Sequence, residues 1–512
     1  MKLETLIRAW KFVGIALTGL VVVSCKKDNP KPEPEEPKPV VTERTEAQLI
    51  KDDIYKYYKL YSLWETSITP DYTSDPSKFT DQYGSADAVL AALKRLTPAH
   101  AAYSGGVFDR FSYIVGLDGY NTATTATGRL KMDTNDGYGI YVQLGTDDGK
   151  KAFPIIYFVE GGSPAQKAGF KRSDFITAVN GDADYSVAVT CTDDGCTIND
   201  ASARDRMMNK LNAALDAPTL TLQVKHQDGS TFSKLMSYGN GYTINPIYKD
   251  TVYESTGNNV GYLALSSFEQ IEDPAASGSS SEGIANKSAI DAVFTKFRDK
   301  QIKSLIVDLR YNGGGYVDAS AYIADKIGGA TTKGKLMLTY EVNNYIKSTP
   351  SINNMFQDTK FEGKSDLSLN KVYFLVSEST ASAAEMLINV LKPYLQVQII
   401  ASGTRTYGKP VGFFEQVVQN KVSFWPVSFL LKNSLGFSDY WDGLVPDKRN
   451  IDDYVFVDVG DKKETMLATA LNDAAPSITT KASINAVSRK GYRTLKGGEV
   501  NIRPDRGMIK KR

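Results

Sequence analysis

Histidine and cysteine are nearly missing from this 512-residue chain: it has two histidines, His100 and His226, and three cysteines, Cys25, Cys191 and Cys196. So few leave no case for a thiolate- or imidazole-rich metal centre, and no metal or other cofactor is implied. An excess of one charge sign is missing too. Sixty Lys and Arg face 59 Asp and Glu, a formal net charge of +1, which removes the electrostatic case for nucleic acid as a partner. The apolar run Phe12–Val23 is too short to span a bilayer comfortably. With 42% hydrophobic and 23% charged residues the chain is neither disordered nor a multi-span membrane protein. Its length predicts two to four domains.

What is present begins with a targeting segment. Lys2, Arg8 and Lys11 precede the apolar run, and Val22-Val23-Ser24-Cys25 resembles a bacterial lipobox, in which the signal is cut before a cysteine that becomes lipid-modified. Residues 1–25 are therefore read as a lipoprotein signal. Residues 26–43 follow as a spacer, with Pro30, Pro32, Pro34, Pro37 and Pro39 set among Lys and Glu. The expectation is an exported protein tethered to a bacterial membrane through lipid on Cys25, on its periplasmic side or at the cell surface. In that oxidising compartment Cys191 and Cys196, which flank an Asp-Gly turn, are expected to form a disulfide.

The pattern beyond the spacer predicts α/β multidomain architecture. An N-terminal helical segment (44–120) opens with a capping box at Thr45 and Gln48, and Ile50, Ile54, Tyr57, Tyr61 and Trp64 fall on one helical face. Asn121–Gly128 reads as a loop. Residues 128–238 alternate short strands with helices. Within them, "GSPAQKAGFKRSDFITAVNG" looks like the central stretch of a PDZ domain. That likeness implies capture of an extended C-terminus, its carboxylate on the loop Gly137, Tyr138, Gly139 and Ile140. From 245 to 475, apolar strands alternate with helices. The basic stretch 476–512 lacks an apolar period and is predicted to be a flexible tail.

Two strand-to-helix turns in the 245–475 segment point to chemistry. Ser379-Thr-Ala-Ser-Ala-Ala-Glu385 puts Ser382 at the first turn of a helix, where unpaired amides and the dipole favour an oxyanion. Asn312-Gly313-Gly314-Gly315 exposes backbone N–H groups. No Lys-Ser/Thr follows it, so it is not a phosphate loop. Neither histidine lies in this segment, and Thr380 and Ala384 stand where a Gly-x-Ser-x-Gly elbow needs glycine. The residues thus favour a lysine base over a Ser-His-Asp triad, with His100 the remaining alternative. A lysine's ordinary pKa near 10.4 has to fall by about three units for that work, and burial lowers it. Lys409 follows Gly408, with Tyr407, Pro410, Phe413, Phe414 and Trp425 near it in sequence.

"LIVDLRYNGGG", "VSESTASAAE" and "TYGKPVG", in that order and behind a PDZ-like unit, resemble the C-terminal processing (tail-specific) serine peptidases. The resemblance implies a crotonase-like β/α catalytic domain and a Ser/Lys dyad, with Ser382 as nucleophile and Lys409 as base. Gly314 and the amide of Ala383 would be the oxyanion donors, beside Glu385. Substrates would be proteins or peptides with free C-termini. Two features depart from the family pattern. The gap from Ser382 to Lys409 is slightly long, and Phe413 stands where many members carry a glutamine that orients the lysine. Glu415, Gln416 or packing alone is left to hold Lys409. The rival reading is a peptide-binding lipoprotein on a degenerate peptidase scaffold.

Overall fold

A computed structural model of the chain describes residues 43–101, 106–116, 134–192, 195–478, 492–500 and 507–510. Cys25, the signal, almost all of the Pro-rich spacer and the 121–128 loop lie outside them. Residues Thr45–Arg512 form one compact unit.

Helix α1 (Glu46–Tyr61) starts at a reciprocal cap: Gln48 N–H donates to Thr45 Oγ1 and Thr45 N–H to Gln48 Oε1. Its buried face, Ile50, Ile54, Tyr55 and Tyr58, meets Val89, Leu90 and Leu93 of α2 (Ala86–Arg95). Val418, Val422 and Phe424 complete this core from the far half of the sequence, and Tyr113–Val115 pairs antiparallel with Val422–Trp425. The helical segment therefore shares its core with a distant hairpin rather than closing one of its own.

The next sheet contains β1 (Ile140–Thr146), Lys151–Val159, Phe175–Val179, Thr219–Lys225 and Thr231–Ser237, in that spatial order. Thr219–Lys225 shows the half-buried period of two, with Leu220, Leu222 and Val224 inward. Helix α3 (Ala201–Leu215) adds Met207, Met208, Leu211 and Leu215 to the same core. A disulfide joins Cys191 to Cys196 across the hairpin of Val187–Thr192 and Gly195–Ile198.

The third unit is a five-stranded sheet. Val260–Leu265, β2 (Ser304–Asp308), β4 (Lys371–Val376) and Val397–Ala401 run parallel, with Ile247–Tyr253 antiparallel at one edge; β3 (Gly314–Tyr316) belongs to a neighbouring sheet. Val260–Leu265 and β2 are buried at every position, as strands covered on both faces must be. Because β2 and β4 are direct neighbours in register, Asp308 opposite Leu375, the turns beyond their carboxyl ends begin side by side. Ligands of open parallel sheets bind at such ends. The two turns lead into helices α4 (Val317–Thr332) and α5 (Ala383–Leu391), which pack together.

The tail departs from expectation. Strand β6 (Arg493–Val500) pairs antiparallel with β1, and β7 (Gly507–Ile509) lies parallel between β3 and β5 (Val411–Phe413). These pieces are strands and not a loose tail. A three-residue strand gives no period to read, and its partners lie roughly 100 to 190 residues away, where a short-window reading has no signal.

Candidate active site

Ser382 caps α5 with φ 62° and ψ −115°, a left-handed backbone in a residue other than glycine. Such geometry costs on the order of 1–3 kcal/mol and persists only when its surroundings enforce it. Glu385, one turn along, is part of that enforcement: its Oε2 accepts the Ser382 N–H at 2.8 Å. The same carboxylate reaches the second loop. Oε2 also accepts the Lys409 N–H at 2.9 Å, while Oε1 accepts the Gly408 N–H at 2.8 Å and the Thr406 hydroxyl at 2.5 Å. One buried side chain thus ties the serine turn to the lysine loop. Burial pushes Glu385 up to about 7, against the pull of Thr406 and the three amides. Tyr407 N–H donates to Thr380 O at 3.0 Å, a further clasp between the two loops.

Gly408 has to be glycine. At φ 90° a Cβ would stand 2.2 Å from Trp441 O and 2.5 Å from Gly443 N. Lys409 follows, 3% exposed. Its Nζ lies 4.6 Å from the centroid of the Phe413 ring and 5.2 Å from that of Phe111. Phe413 is therefore a wall of the lysine pocket. Glu415 is exposed and accepts from Ser423 Oγ; Gln416 is buried with its Nε2 unpartnered. Of the alternatives left to hold Lys409, which were Glu415, Gln416 or packing alone, the contacts with the Phe413 and Phe111 rings are packing. The Lys94 ammonium, in the last turn of α2, is pushed down by burial, against the pull of Asp109; the nearby Lys409 adds to the drop.

The glycine turn meets the serine turn through Asn312. Ala381 N–H donates to Asn312 O at 3.1 Å, and Asn312 Nδ2 donates to Leu265 O at 3.3 Å. Asn312 Oδ1 accepts the Gly314 N–H at 2.9 Å. The Gly314 amide is thus engaged within its own turn instead of pointing at an empty oxyanion site. Ala383 opens α5, where the first amides have no partner inside the helix. Ser382 is 0% exposed, and among the described residues its Oγ has no hydrogen-bond partner.

Arg310 anchors the turn from behind. Fully buried, it pairs with Asp308 and Glu464 at 2.8 Å and with Asp453 at 2.7 Å. Arg172, from the loop before Phe175–Val179, pairs with Asp453 from the other side at 2.7 Å, and Tyr311 donates to the same carboxylate. Burial alone would raise Asp453, but the two guanidinium groups, Arg172 foremost, hold it well below the usual carboxylate range.

The other candidates are placed as follows. His226 is held on Asp174 at 2.6 Å and is not a freely solvated surface group. His100 stacks edge-on against Phe108 at 4.6 Å. Gly137, Tyr138, Gly139 and Ile140 lead into β1, and the Gly139 carbonyl accepts the Glu160 N–H at 2.9 Å. Sequence reasoning missed Asn312, Thr406, Phe111 and Asp453. Asn312 and Thr406 sit inside motifs already singled out; nothing local marks the other two. Among the described residues no cluster of three or more metal-ligating side chains forms, and no helix is long and apolar enough to cross a membrane.

Residues 259–423 match the profile of Peptidase family S41, so this stretch of the chain is similar to that family. It is 25% identical over 296 residues to a chloroplastic C-terminal processing peptidase of Tetradesmus obliquus, covering 55% of this chain and 52% of that one. It is 24% identical over 279 residues to a Staphylococcus aureus protein described as a CtpA-like serine protease, covering 54% and 46%. The chain thus spans about half the length of these relatives. A crystal structure from Bacteroides fragilis, assigned to the S41 proteases, superimposes over 83% of this chain and 97% of that one with TM-score 0.54 and 22% identity, which establishes a shared mixed α/β fold.

Proposed function

We propose that the chain is a serine endopeptidase of the C-terminal processing type, acting through an acyl-enzyme with Ser382 as nucleophile and Lys409 as base. The observation that carries this reading is the Glu385 carboxylate, whose hydrogen bonds hold the backbones of both residues in one buried site. Lys409 Nζ takes the Ser382 hydroxyl proton as Oγ bonds to the scissile carbonyl carbon. The oxyanion forms at the N-terminus of α5 beside Ala383. Gly314 becomes its second donor once its N–H leaves Asn312 Oδ1. The leaving amine carries the proton away, and water, deprotonated by the same lysine, releases the acyl group.

Residues 128–238 act as a PDZ-like unit that takes substrate C-termini at Gly137–Ile140, and residues 245–475 as a crotonase-like catalytic domain. The protein is exported and held at a membrane surface by lipid on Cys25. A second reading, a peptide-binding protein without catalysis, draws on Phe413 beside Lys409 and on the engaged Gly314 amide.

Cleavage of an unfolded protein by the purified chain separates the two. Ser382→Ala should fall to background, and Lys409→Ala nearly as far, because nucleophile and base act as a unit. Lys409→Arg should not rescue, since a guanidinium stays protonated. Turnover by a folded Lys409→Ala chain at the parent rate would place the base elsewhere, with His100 tested next.

A further inference from the structure

The proposed peptidase needs two grooves, one for a substrate's C-terminal stretch and one for the bond to be cut. The chain's own C-terminal segment lies in both. Strand β6 adds to the open edge of β1, with Arg493 opposite Thr146, Leu495 opposite Leu144 and Val500 opposite Val142, and it lies against α3. An edge strand beside a helix is the place where a peptide joins a sheet. The segment also runs the right way, antiparallel to β1 and toward the Gly137–Ile140 turn. Leu495 is buried in that sheet's core.

Strand β7 then fills the gap between the two catalytic frames. Gly507 and Met508 stand opposite Gly314 and Gly315, while Met508 and Ile509 stand opposite Gly412 and Phe413, so one short strand bridges the glycine turn and the strand that follows Lys409. Lys510 N–H donates to Phe413 O at 3.1 Å, and Lys510 Nζ pairs with Asp318. Met508 joins the core that contains Ala383 and Ala384; Ile509 joins Phe111, Phe413 and Trp425. The proposed site is closed as it stands: Ser382 is 0% exposed and the Gly314 N–H, on the strand that β7 joins, is turned onto Asn312. A peptidase cannot reach a carbonyl carbon with its serine in that state.

We infer that residues 493–500 and 507–510 are resident, substrate-like strands in the chain's own grooves, and that substrate binds as an extended strand by displacing them. This rests on the peptidase reading. The ligand class follows from the occupant: an extended polypeptide with large apolar side chains on alternate faces at Met508 and Ile509 and a basic residue next, facing Asp318. A tethered occupant acts at an effective concentration on the order of millimolar, so a free peptide competes with it poorly. The tail should therefore raise KM and leave kcat unchanged.

The full chain carrying Met508→Asp and Ile509→Asp tests this, because a buried, unpaired carboxylate is not tolerated in that slot. KM for an unfolded protein substrate should fall at least about tenfold, and a synthetic peptide of residues 492–512 should inhibit the variant competitively at concentrations that leave the parent unaffected. A readout free of catalysis runs beside it. In a Ser382→Ala background the fluorescent peptide should bind the doubly substituted chain, by anisotropy, and not the parent. An unchanged KM together with no peptide binding would overturn the inference, as would loss of a cooperative melt, since a displaceable strand must leave the rest of the fold standing. Peptide binding without cleavage by any form would instead sink the peptidase reading and leave the resident strand in place.

Discussion

Glu385 is where a single atom exchange should separate architecture from charge. Its carboxylate is fully buried and accepts four donors, two on each oxygen. In Glu385→Gln one oxygen becomes an NH2 group that faces two donors and can accept from neither. Two hydrogen bonds go, each worth about 0.5–1.5 kcal/mol to a neutral acceptor and 1.5–3 to a charged one. Against that stands the cost of a buried charge, which the substitution removes. Burial pushes Glu385 from its ordinary 4.5 up to about 7, so the folded chain keeps this proton when the unfolded chain has lost it. The sign follows. This group's stabilisation is complete below about pH 4.5 and is lost as pH rises through about 7, a change of roughly 3 kcal/mol at about 1.4 per unit. Glutamine has no such proton. Urea unfolding of parent and variant at half-unit steps from pH 4.5 to 8 isolates the effect, because every other titrating group cancels in the difference. The variant should be the weaker protein at pH 4.5–5, with the gap closing or reversing by pH 8. Its kcat should fall at every pH by about 10²-fold, the usual cost of a displacement near 1 Å. A gap that stays constant with pH would refute the buried-charge reasoning; parent kcat in the variant would refute the clasp.

Asp453→Asn leaves Arg172 and Arg310 facing each other without the charge between them, and it should lower stability by about 3–5 kcal/mol in a urea melt. A loss under about 1 kcal/mol would mean the two guanidinium groups are satisfied elsewhere. Cys25→Ala should leave the protein unprocessed or move it from the detergent-extracted membrane fraction to the soluble one. An unchanged, processed membrane-bound product would remove the case for a lipid anchor.

Local signals in the sequence read well because their partners are local. The Thr45–Gln48 cap, the alternation of Leu220, Leu222 and Val224, and the turn from strand to helix at Ser382 each fit within a few residues. Phe413 was legible as a departure but not as a wall, since its role depends on Phe111, a residue some 300 positions earlier. Asp453 carries no motif and acquires meaning only where Arg172 and Arg310 converge on it. The tail was the largest miss. Gly507-Met508-Ile509 is too short to show a period, and its basic surroundings suggested a solvated end.

The strain at Ser382 links these parts into one argument. A φ of 62° in a serine is uphill. Three fixed points offset that cost: Ser382 N–H on Glu385, Ala381 N–H on Asn312, and the Thr380 carbonyl receiving Tyr407 N–H. The first and last of these reach into the lysine loop, and the second into the glycine turn. The backbone that presents the proposed nucleophile is therefore held by the same contacts that position its proposed base and oxyanion donors, and none of the three involves the tail. Displacing β7 would open the cleft without releasing the serine from its strained pose, which is what a site must do if it is to stay preorganised while its resident strand exchanges for substrate.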